Sequence, residues 1–197
     1  LPPSTQVESM DDLYKGILEC GIKYNTMIIG GDMVSSPITF ITIGLTGIAS
    51  GAFLSRSTAK TGDRIAVTGS LGTSSAGLKM ISKKLEVDAR DSQVMKQSHL
   101  RPHPRVQEGQ MLLELGVKTA MDVSDGLVDD LGKLCRASKK SAILWANSIP
   151  IEPTVQRVFP NQAISLALGG GEDYELLFTA SKTIIDKIKA RLSIKVS

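Results

Sequence analysis

Apolar residues recur every three or four positions in several stretches of the chain, which is the spacing of one face of an α-helix. The first such stretch spans 9–21 and ends at Gly21, a natural helix end. Its apolar face consists of Met10, Leu13, Ile17 and Leu18. A second helix is predicted over 125–140. Its apolar stripe consists of Leu127, Val128, Leu131, Leu134 and Cys135.

Three further helices are predicted from the same spacing and from the glycines beside it. They lie in "SLGTSSAGLKMISKKL" after a glycine turn, in "VQEGQMLLELG" and in "KTIIDKIKARL". Between the helices, short runs of β-branched and apolar residues predict strands. These runs are "YNTMIIGGD", "PITFITIGLTGIA", "RIAVTG", "VKTAMDVS", "SAILWA" and the end of "LALGGGEDYELLFTAS". The alternation predicts an α/β (mixed α+β) fold with at least two sheets.

A shift in composition divides this pattern into two parts. The segment 50–63, "SGAFLSRSTAKTGD", is small, polar and loop-like, which is typical of a domain boundary. We therefore predict a domain boundary within this segment. The total of 197 residues suits one large domain or two small ones.

Charge and cysteine content exclude several classes of function. The net charge is only +3 and the basic residues are scattered, so no nucleic-acid partner is expected. No apolar run approaches the ~18 residues of a membrane span, and no signal peptide is visible. Cys20 and Cys135 are far apart, which favours a reducing, cytoplasmic location over a disulfide framework.

A few single residues receive structural interpretations. Pro102 and Pro104 argue against a helix that would align His99 with His103, so both histidines are predicted in a loop. Trp145 is predicted in the core.

Four aspartates crowd the stretch "MDVSDGLVDDL" at 121–131. Asp129 and Asp130 fall in the first turns of the predicted helix, where the helix dipole favours acids, so we interpret them as solvent-facing structural residues. Asp122 and Asp125 lie across the preceding turn and can face a common point. Mg²⁺ takes one or two carboxylates and completes its shell with phosphate oxygens and water. The alternative interpretation, a helix cap at Ser124 or Asp125, stays open at this point.

Two other glycine turns carry acids. In "IIGGDM", Asp32 follows an apolar run and a glycine pair, and in "LGGGEDYELLF" Glu172 and Asp173 precede a predicted strand. Each is explained either by a ligand that approaches flexible backbone or by an ordinary capped turn. The turn "VTGSLGTSSAGL" is not a P-loop because no Lys-Ser/Thr follows, and it is interpreted as a tight helix start.

Taken in order, five motifs resemble those of the thiamine-monophosphate kinase family. They are "IIGGD", "GDRIAVTGSLGTSSAGL", "RPHPRVQEGQ", "AMDVSDGLVDDL" and "GGGEDYELLFT", and they run over nearly the whole chain. The family belongs to the superfamily of aminoimidazole ribonucleotide synthetase, selenophosphate synthetase and the hydrogenase maturation carbamoyl dehydratase. The resemblance implies ATP-dependent phosphorylation of thiamine phosphate to thiamine diphosphate, with Mg²⁺ at the nucleotide phosphates. It also implies the two α/β domains of the superfamily: the latter part of a smaller N-terminal sheet-and-helix domain, for ATP binding and dimerisation, over 1–56, and most of a larger C-terminal α/β domain over 57–197. A homodimer formed through the N-terminal domain is implied as well.

The resemblance further implies roles for individual residues. Those implied to bind ATP are Gly31, Asp32, Arg56 and Ser124. Those implied to bind Mg²⁺ are Asp32, Asp122 and Asp125. Those implied to bind thiamine phosphate are Asp173 and its neighbour Glu172. No general base is assigned, because in-line transfer to a phosphate oxygen asks mainly for positioning and charge neutralisation.

The chain also departs from the family pattern. Met33, Val34 and Ser35 replace the usual threonines and arginine after the first motif, and Thr73 replaces a common aspartate. Further N-terminal aspartates and a C-terminal glycine–aromatic region have no counterpart, so we expect an incomplete chain that has little activity alone. The alternatives are an ATP-using superfamily member with a different acceptor, or a non-catalytic binding or dimerisation fragment.

Overall fold

The computed structural model describes residues 1–49 and 51–197, which divide into two compact units. Unit 1 is Leu1–Ile48 and unit 2 is Ala49–Ser197. The domain boundary predicted between 56 and 57 stays a prediction. Ser50, the first residue of the loop-like segment 50–63, lies outside the described residues.

Eight α-helices and three β-strands make up the regular structure of the described residues. In chain order they are α1 (Val7–Lys23), β1 (Arg64–Val67), α2 (Thr73–Ser82), α3 (Ala89–Leu100), α4 (Val106–Glu114), β2 (Thr119–Asp122), α5 (Leu127–Ser138), α6 (Pro153–Val158), α7 (Ala163–Gly169), β3 (Leu176–Ala180) and α8 (Lys182–Arg191). A 3₁₀ turn, Ala146–Ser148, precedes α6. None of these helices combines the length and the apolarity needed to cross a bilayer.

Unit 1 consists of α1 and an extended segment that follows it. The predicted end at Gly21 is wrong, because α1 continues to Lys23. Asn25 instead adopts the left-handed conformation (φ 52°) that closes a helix, and the N–H of Thr26 donates to the carbonyl of Gly21 at 2.8 Å.

The two strands predicted in unit 1 are absent from its described residues. Over 26–48 the backbone forms neither helix nor strand, and side chains such as Ile29 and Leu45 are exposed. A strand is stabilised by hydrogen bonds to a neighbouring strand and by burial of one face, and neither is present here. The predicted N-terminal sheet is therefore corrected to an exposed apolar segment without a partner strand, in which Val34 and Ser36 are hydrogen-bonded to the main chain of Leu1.

Unit 2 is built on one antiparallel sheet of three strands, in the order β1-β3-β2. Arg64 pairs with Ala180 at one end of the β1–β3 ladder, and Thr119 pairs with Thr179 in the β2–β3 ladder. Each of the three predicted strands in "RIAVTG", "VKTAMDVS" and "LLFTA" is confirmed. The prediction of at least two sheets is wrong for the described part of the chain.

The sheet has helices on both faces, and the strand period of two assigns side chains to each. Phe178 of β3 packs on one face against α4 and α8, with Leu112, Ile185 and Ile188. Leu177, its neighbour, packs on the other face against α5 and α7. The α5 residues in that second core are Leu127, Leu131 and Leu134. The mixed α/β class is confirmed.

A third core lies between helices alone. It joins α2, α3, α6 and the start of α7 through Met80, Met95, Val155 and Phe159. Asp91 of α3 is buried there, and Arg157 of α6 donates two hydrogen bonds to its carboxylate. The helices α3, α6 and α7 have weak apolar periodicity and were not predicted.

Three local predictions in unit 2 are wrong. Residues 141–145 of "SAILWA" form no strand, and Trp145 is 65% exposed. Apolar composition alone does not supply a strand with a partner. His99 lies in the last turn of α3, where its Nδ1 and the hydroxyl of Ser74 are 3.0 Å apart. Pro102 constrains the backbone only from the residue before it, so α3 extends through His99.

Candidate active site

The candidate site is built at the turn between β2 and α5. Asp122 ends β2 and is exposed, Val123 is buried, and Asp125 is exposed again. Helix α5 begins at Leu127 and its N-cap position is Gly126, which makes no side-chain hydrogen bond. The alternative interpretation, a helix cap at Ser124 or Asp125, is therefore wrong, and both residues lie before the helix.

The N–H groups before α5 are satisfied by a residue further along the helix. Oδ2 of Asp130 accepts hydrogen bonds from the N–H of Ser124 and of Asp125, each at 2.9 Å. Asp130 is 0% exposed, so its predicted solvent-facing position is wrong. Asp129 is 59% exposed, as predicted. The sequence did carry a signal, since Asp130 falls on the buried stripe of α5 while Asp129 does not.

One lysine joins three of the acids. The ammonium group of Lys133 donates to Asp125 and to Oδ1 of Asp130 at 2.8 Å, and pairs with Asp129 at 3.0 Å. These contacts raise the pKa of Lys133, and the hydrogen bond to Asp125 contributes most. One carboxylate oxygen from each acid lies within 4.8 Å of the others, and the ammonium group of Lys133 is the cation that all three contact.

The glycine-rich segment 169–175 is hydrogen-bonded along this turn. The N–H of Glu172 donates to the carbonyl of Ser124 at 2.9 Å, and the N–H of Tyr174 donates to the carbonyl of Val123 at 2.9 Å. Gly171 is required by this contact, since a Cβ there would lie 2.2 Å from the Ser124 carbonyl oxygen. The structure thus brings the predicted residues Glu172 and Ser124 together.

Glu172 and Tyr174 have unusual backbone conformations. Their φ angles are +67° and +50°, in the left-handed region that side chains other than glycine rarely adopt. The hydroxyl of Tyr174 donates to Oε2 of Glu172 at 3.0 Å. Burial raises the pKa of Tyr174, and the charges of Glu172, Asp122 and Asp125 raise it further. Strained backbone of this kind clusters at functional sites.

Asp173, which lies between Glu172 and Tyr174, is buried. Its carboxylate accepts hydrogen bonds from the N–H of Gly72 at 2.7 Å and of Ser74 at 3.0 Å, at the start of α2. Burial raises the pKa of Asp173 to about 6, against the opposing effect of these N–H groups. The turn "VTGSLGTSS" thus holds an internal carboxylate, in agreement with its interpretation as a tight helix start. That Asp173 also contacts a substrate stays a prediction.

A partly buried ion pair next to Asp173 was not predicted. Arg105 donates from Nε and Nη2 to the two oxygens of Glu175, and the hydroxyl of Thr68 donates to Oε2 at 2.6 Å. A cavity of about 400 Å³ lies beside the pair. The cavity is lined by residues that include Ser70, Thr73, Arg101, His103, Glu152 and Asp173.

The remaining predicted site residues lie at exposed positions. Gly31 and Asp32 belong to unit 1, where Oδ1 of Asp32 accepts the N–H of Met33 at 2.8 Å. Arg56 belongs to unit 2, and its carbonyl accepts the hydroxyl of Ser138 at 2.9 Å. Their assignment to ATP or Mg²⁺ stays a prediction.

This fold and its acidic loops define a known class of protein. The model of the family described as AIR synthase related protein, C-terminal domain, matches residues 60–185, and the chain belongs to that family. Within the class, it is similar to thiamine-monophosphate kinase of Escherichia coli (strain K12). The two are 44% identical over 159 residues, which are 79% of this chain and 48% of the relative.

Solved structures agree with this similarity. Thiamine monophosphate kinase from Aquifex aeolicus has a TM-score of 0.79 at 27% identity, over 92% of this chain and 62% of that one. AaThiL complexed with AMPPCP and TMP has a TM-score of 0.81 at 27% identity, over 93% and 60% of the two chains. The predicted resemblance is confirmed. The chain spans about half the length of the curated relatives it matches.

Proposed function

We propose that the chain takes part in the ATP-dependent phosphorylation of thiamine phosphate to thiamine diphosphate. The observation that carries the proposal is the pairing of the Asp122–Asp125 turn with the Glu172–Tyr174 segment through main-chain hydrogen bonds. The pairing gathers exposed carboxylates at one edge of unit 2. The similarity to thiamine-monophosphate kinases, and to AaThiL complexed with AMPPCP and TMP, supports the same reaction.

The donor chemistry of the turn fits Mg²⁺. Asp122 and Asp125 offer exposed carboxylate oxygens, the hard ligands that this ion accepts alongside phosphate oxygens and water. Bound there, Mg²⁺ would neutralise charge on the nucleotide phosphates. Because Lys133 already donates to Asp125, a cation at Asp125 competes with this ammonium group.

The other residues receive complementary roles in this proposal. Asp32 of unit 1 binds Mg²⁺, with Gly31 beside it near ATP, and Arg56 of unit 2 contacts ATP phosphate. Ser124 contacts the nucleotide. Asp173 and its neighbour Glu172 bind thiamine phosphate. The carboxylate of Glu172 is exposed and held by the Tyr174 hydroxyl, and Asp173 lines the neighbouring cavity while it holds the start of α2.

The proposal extends to assembly and location. We include a homodimer formed through the N-terminal domain, over 1–56, and a cytoplasmic location. The exposed apolar side chains of the first unit and the free cysteines Cys20 and Cys135 support these two points respectively.

Calorimetry with Mg²⁺ and ATP on this chain tests the nucleotide site. Since the chain spans about half the length of its relatives, we expect weak binding and little turnover. Binding should require Mg²⁺ and should weaken about tenfold or more in Asp122→Asn and Asp125→Asn. Asp186→Asn, which alters an exposed acid of α8, is the control. Binding that survives EDTA and both variants would sink the proposal.

The acceptor needs a separate measurement. Thiamine phosphate and aminoimidazole precursors are compared as stimulants of ATP turnover, in the chain joined to the N-terminal part of a relative. We expect thiamine phosphate to stimulate ATP turnover and the aminoimidazole compounds not to. Stimulation by an aminoimidazole compound would assign the chain to a different reaction of the superfamily.

A further inference from the structure

Asp130 is the most deeply buried acid of the candidate site, and its two oxygens serve different partners. Oδ2 accepts the N–H groups of Ser124 and Asp125, whereas Oδ1 accepts the ammonium group of Lys133. A buried carboxylate is costly unless it is paired and hydrogen-bonded, and Asp130 meets that condition entirely through the acidic turn and its lysine.

Ser124 is fixed from two sides as a result. Its N–H donates to Asp130, and its carbonyl accepts the N–H of Glu172. Asp130 therefore joins the first turns of α5 to the glycine-rich segment through a single residue of the turn. The orientation of Asp125, whose own N–H is held by the same carboxylate oxygen, depends on this connection.

We propose that Asp130 is a positioning residue for the cation site, which it serves by fixing the backbone that carries Ser124 and Asp125. It does not itself bind the cation, because it is fully buried and its Oδ2 accepts two N–H groups of the turn, whereas the Asp125 carboxylate is exposed. A favourable interaction with the helix dipole does not explain why Asp130 is buried, since an exposed acid such as Asp129 has the same interaction. The identity of the site as a cation site rests on the proposed function. The role of Asp130 in holding the backbone of Ser124 and Asp125 does not.

Hydrogen exchange and Mn²⁺ titration of three variants test the inference. Asp130→Ala removes the acceptor, and Asp129→Ala removes the neighbouring exposed acid, which also contacts Lys133. In Asp130→Ala we expect exchange at the Ser124 and Asp125 amides to accelerate about tenfold or more, and Mn²⁺ affinity to fall about tenfold. Asp129→Ala should leave both values within about twofold, because it touches neither amide.

Asp130→Asn separates positioning from charge and also guards against a misfolded alanine variant. The carboxamide oxygen can still accept both N–H groups, so slow exchange should persist and Mn²⁺ affinity should stay within about threefold of the wild type. A tenfold loss of affinity with slow exchange would overturn the inference, because charge and not position would then matter.

Two further outcomes are decisive. Unchanged exchange or unchanged Mn²⁺ affinity in a folded Asp130→Ala variant overturns the inference. If the wild-type chain binds no Mn²⁺, the proposed function is wrong, and exchange at the two amides alone decides whether Asp130 holds the turn.

Discussion

Arg105 and Glu175 form an ion pair with two hydrogen bonds, of 2.7 Å from Nε and 2.6 Å from Nη2. Glu175 is 6% exposed and stands just before β3, while Arg105 stands just before α4. The pair therefore ties the "RPHPR" loop to the strand at the centre of the sheet. Breaking a buried pair leaves an uncompensated charge, so the cost of losing Arg105 exceeds the value of the contact itself.

Arg105→Ala should destabilise the protein by about 3–5 kcal/mol, as measured by urea denaturation. Arg105→Lys should recover only part of the loss, since an ammonium group lacks the planar fork. Arg101→Ala, in the same loop but at an exposed position, is the control and should cost little. Equal losses for Arg101→Ala and Arg105→Ala would contradict the prediction.

Gly69→Ala should be more destabilising than Gly62→Ala, although both glycines have positive φ angles, of 61° and 89°. A Cβ at Gly62 meets open space, whereas one at Gly69 would lie 2.2 Å from Oε1 of Glu175. The left-handed backbone alone costs roughly 1–2 kcal/mol, and overpacking at Gly69 adds about 1–3 kcal/mol. Thermal and urea unfolding of the two variants give the difference directly, and no difference would show that Glu175 moves freely.

Asp173 should give the protein a distinctive pH dependence. Its pKa is about 6 in the folded chain and 3.8 ordinarily, so the folded state binds more protons between these values. Stability contributed by this group is therefore present below pH 3.8 and lost as the pH rises to 6, by about 3 kcal/mol. Denaturation of the wild type and of Asp173→Asn across pH 4–7 should show this slope only in the wild type.

Comparing the wild type with Asp173→Asn separates the effect of Asp173 on stability from that of acids whose pKa is lowered in the folded state. Arg157 lowers the pKa of Asp91, so that pair becomes less stabilising as the pH falls, in both proteins alike. The difference in unfolding free energy between wild type and Asp173→Asn cancels that contribution. A difference that stays constant from pH 4 to 7 would show that Asp173 titrates normally.

Tyr174→Phe should weaken acceptor binding while sparing the nucleotide, if Glu172 binds thiamine phosphate as proposed. The variant removes the hydroxyl that holds Oε2 of Glu172. We expect affinity for thiamine phosphate to fall about three- to tenfold in an NMR titration, with affinity for Mg²⁺ and ATP unchanged. Tyr24→Phe, in unit 1, is the matched control. Equal loss for both ligands would instead indicate a general loosening of the loop.

The helices and strands of unit 2 that have strong periodicity were predictable from sequence. Strands such as Leu176–Ala180 alternate between two cores, and glycines mark their ends. The segments 26–49 and 141–145 were not predictable in the same way. Their β-branched and apolar residues suit a strand, but no local pattern states whether a partner strand is present to accept the hydrogen bonds.

The loops that carry the candidate site were predictable from sequence, but the hydrogen bonds and ion pairs between their residues were not. The motifs around Asp125 and Glu172 were identified, and main-chain hydrogen bonds join them. Arg105 and Glu175 are 70 residues apart, so their pairing depends on the tertiary fold. The position of Asp130 in the first turns of α5 fits an exposed acid, but its position on the buried stripe determines where it lies.

The strand order β1-β3-β2 has a kinetic consequence. The central strand is the last to be synthesised, and β1 and β2 have no ladder partner among the described strands until Leu176–Ala180 has emerged. Sheet closure therefore requires long-range loop closure, which slows folding. Helix pairs such as α2 and α3 can form earlier, so a nascent chain exposes two unpaired strand edges beside preformed helices. During synthesis, those edges are the part of unit 2 most exposed to aggregation.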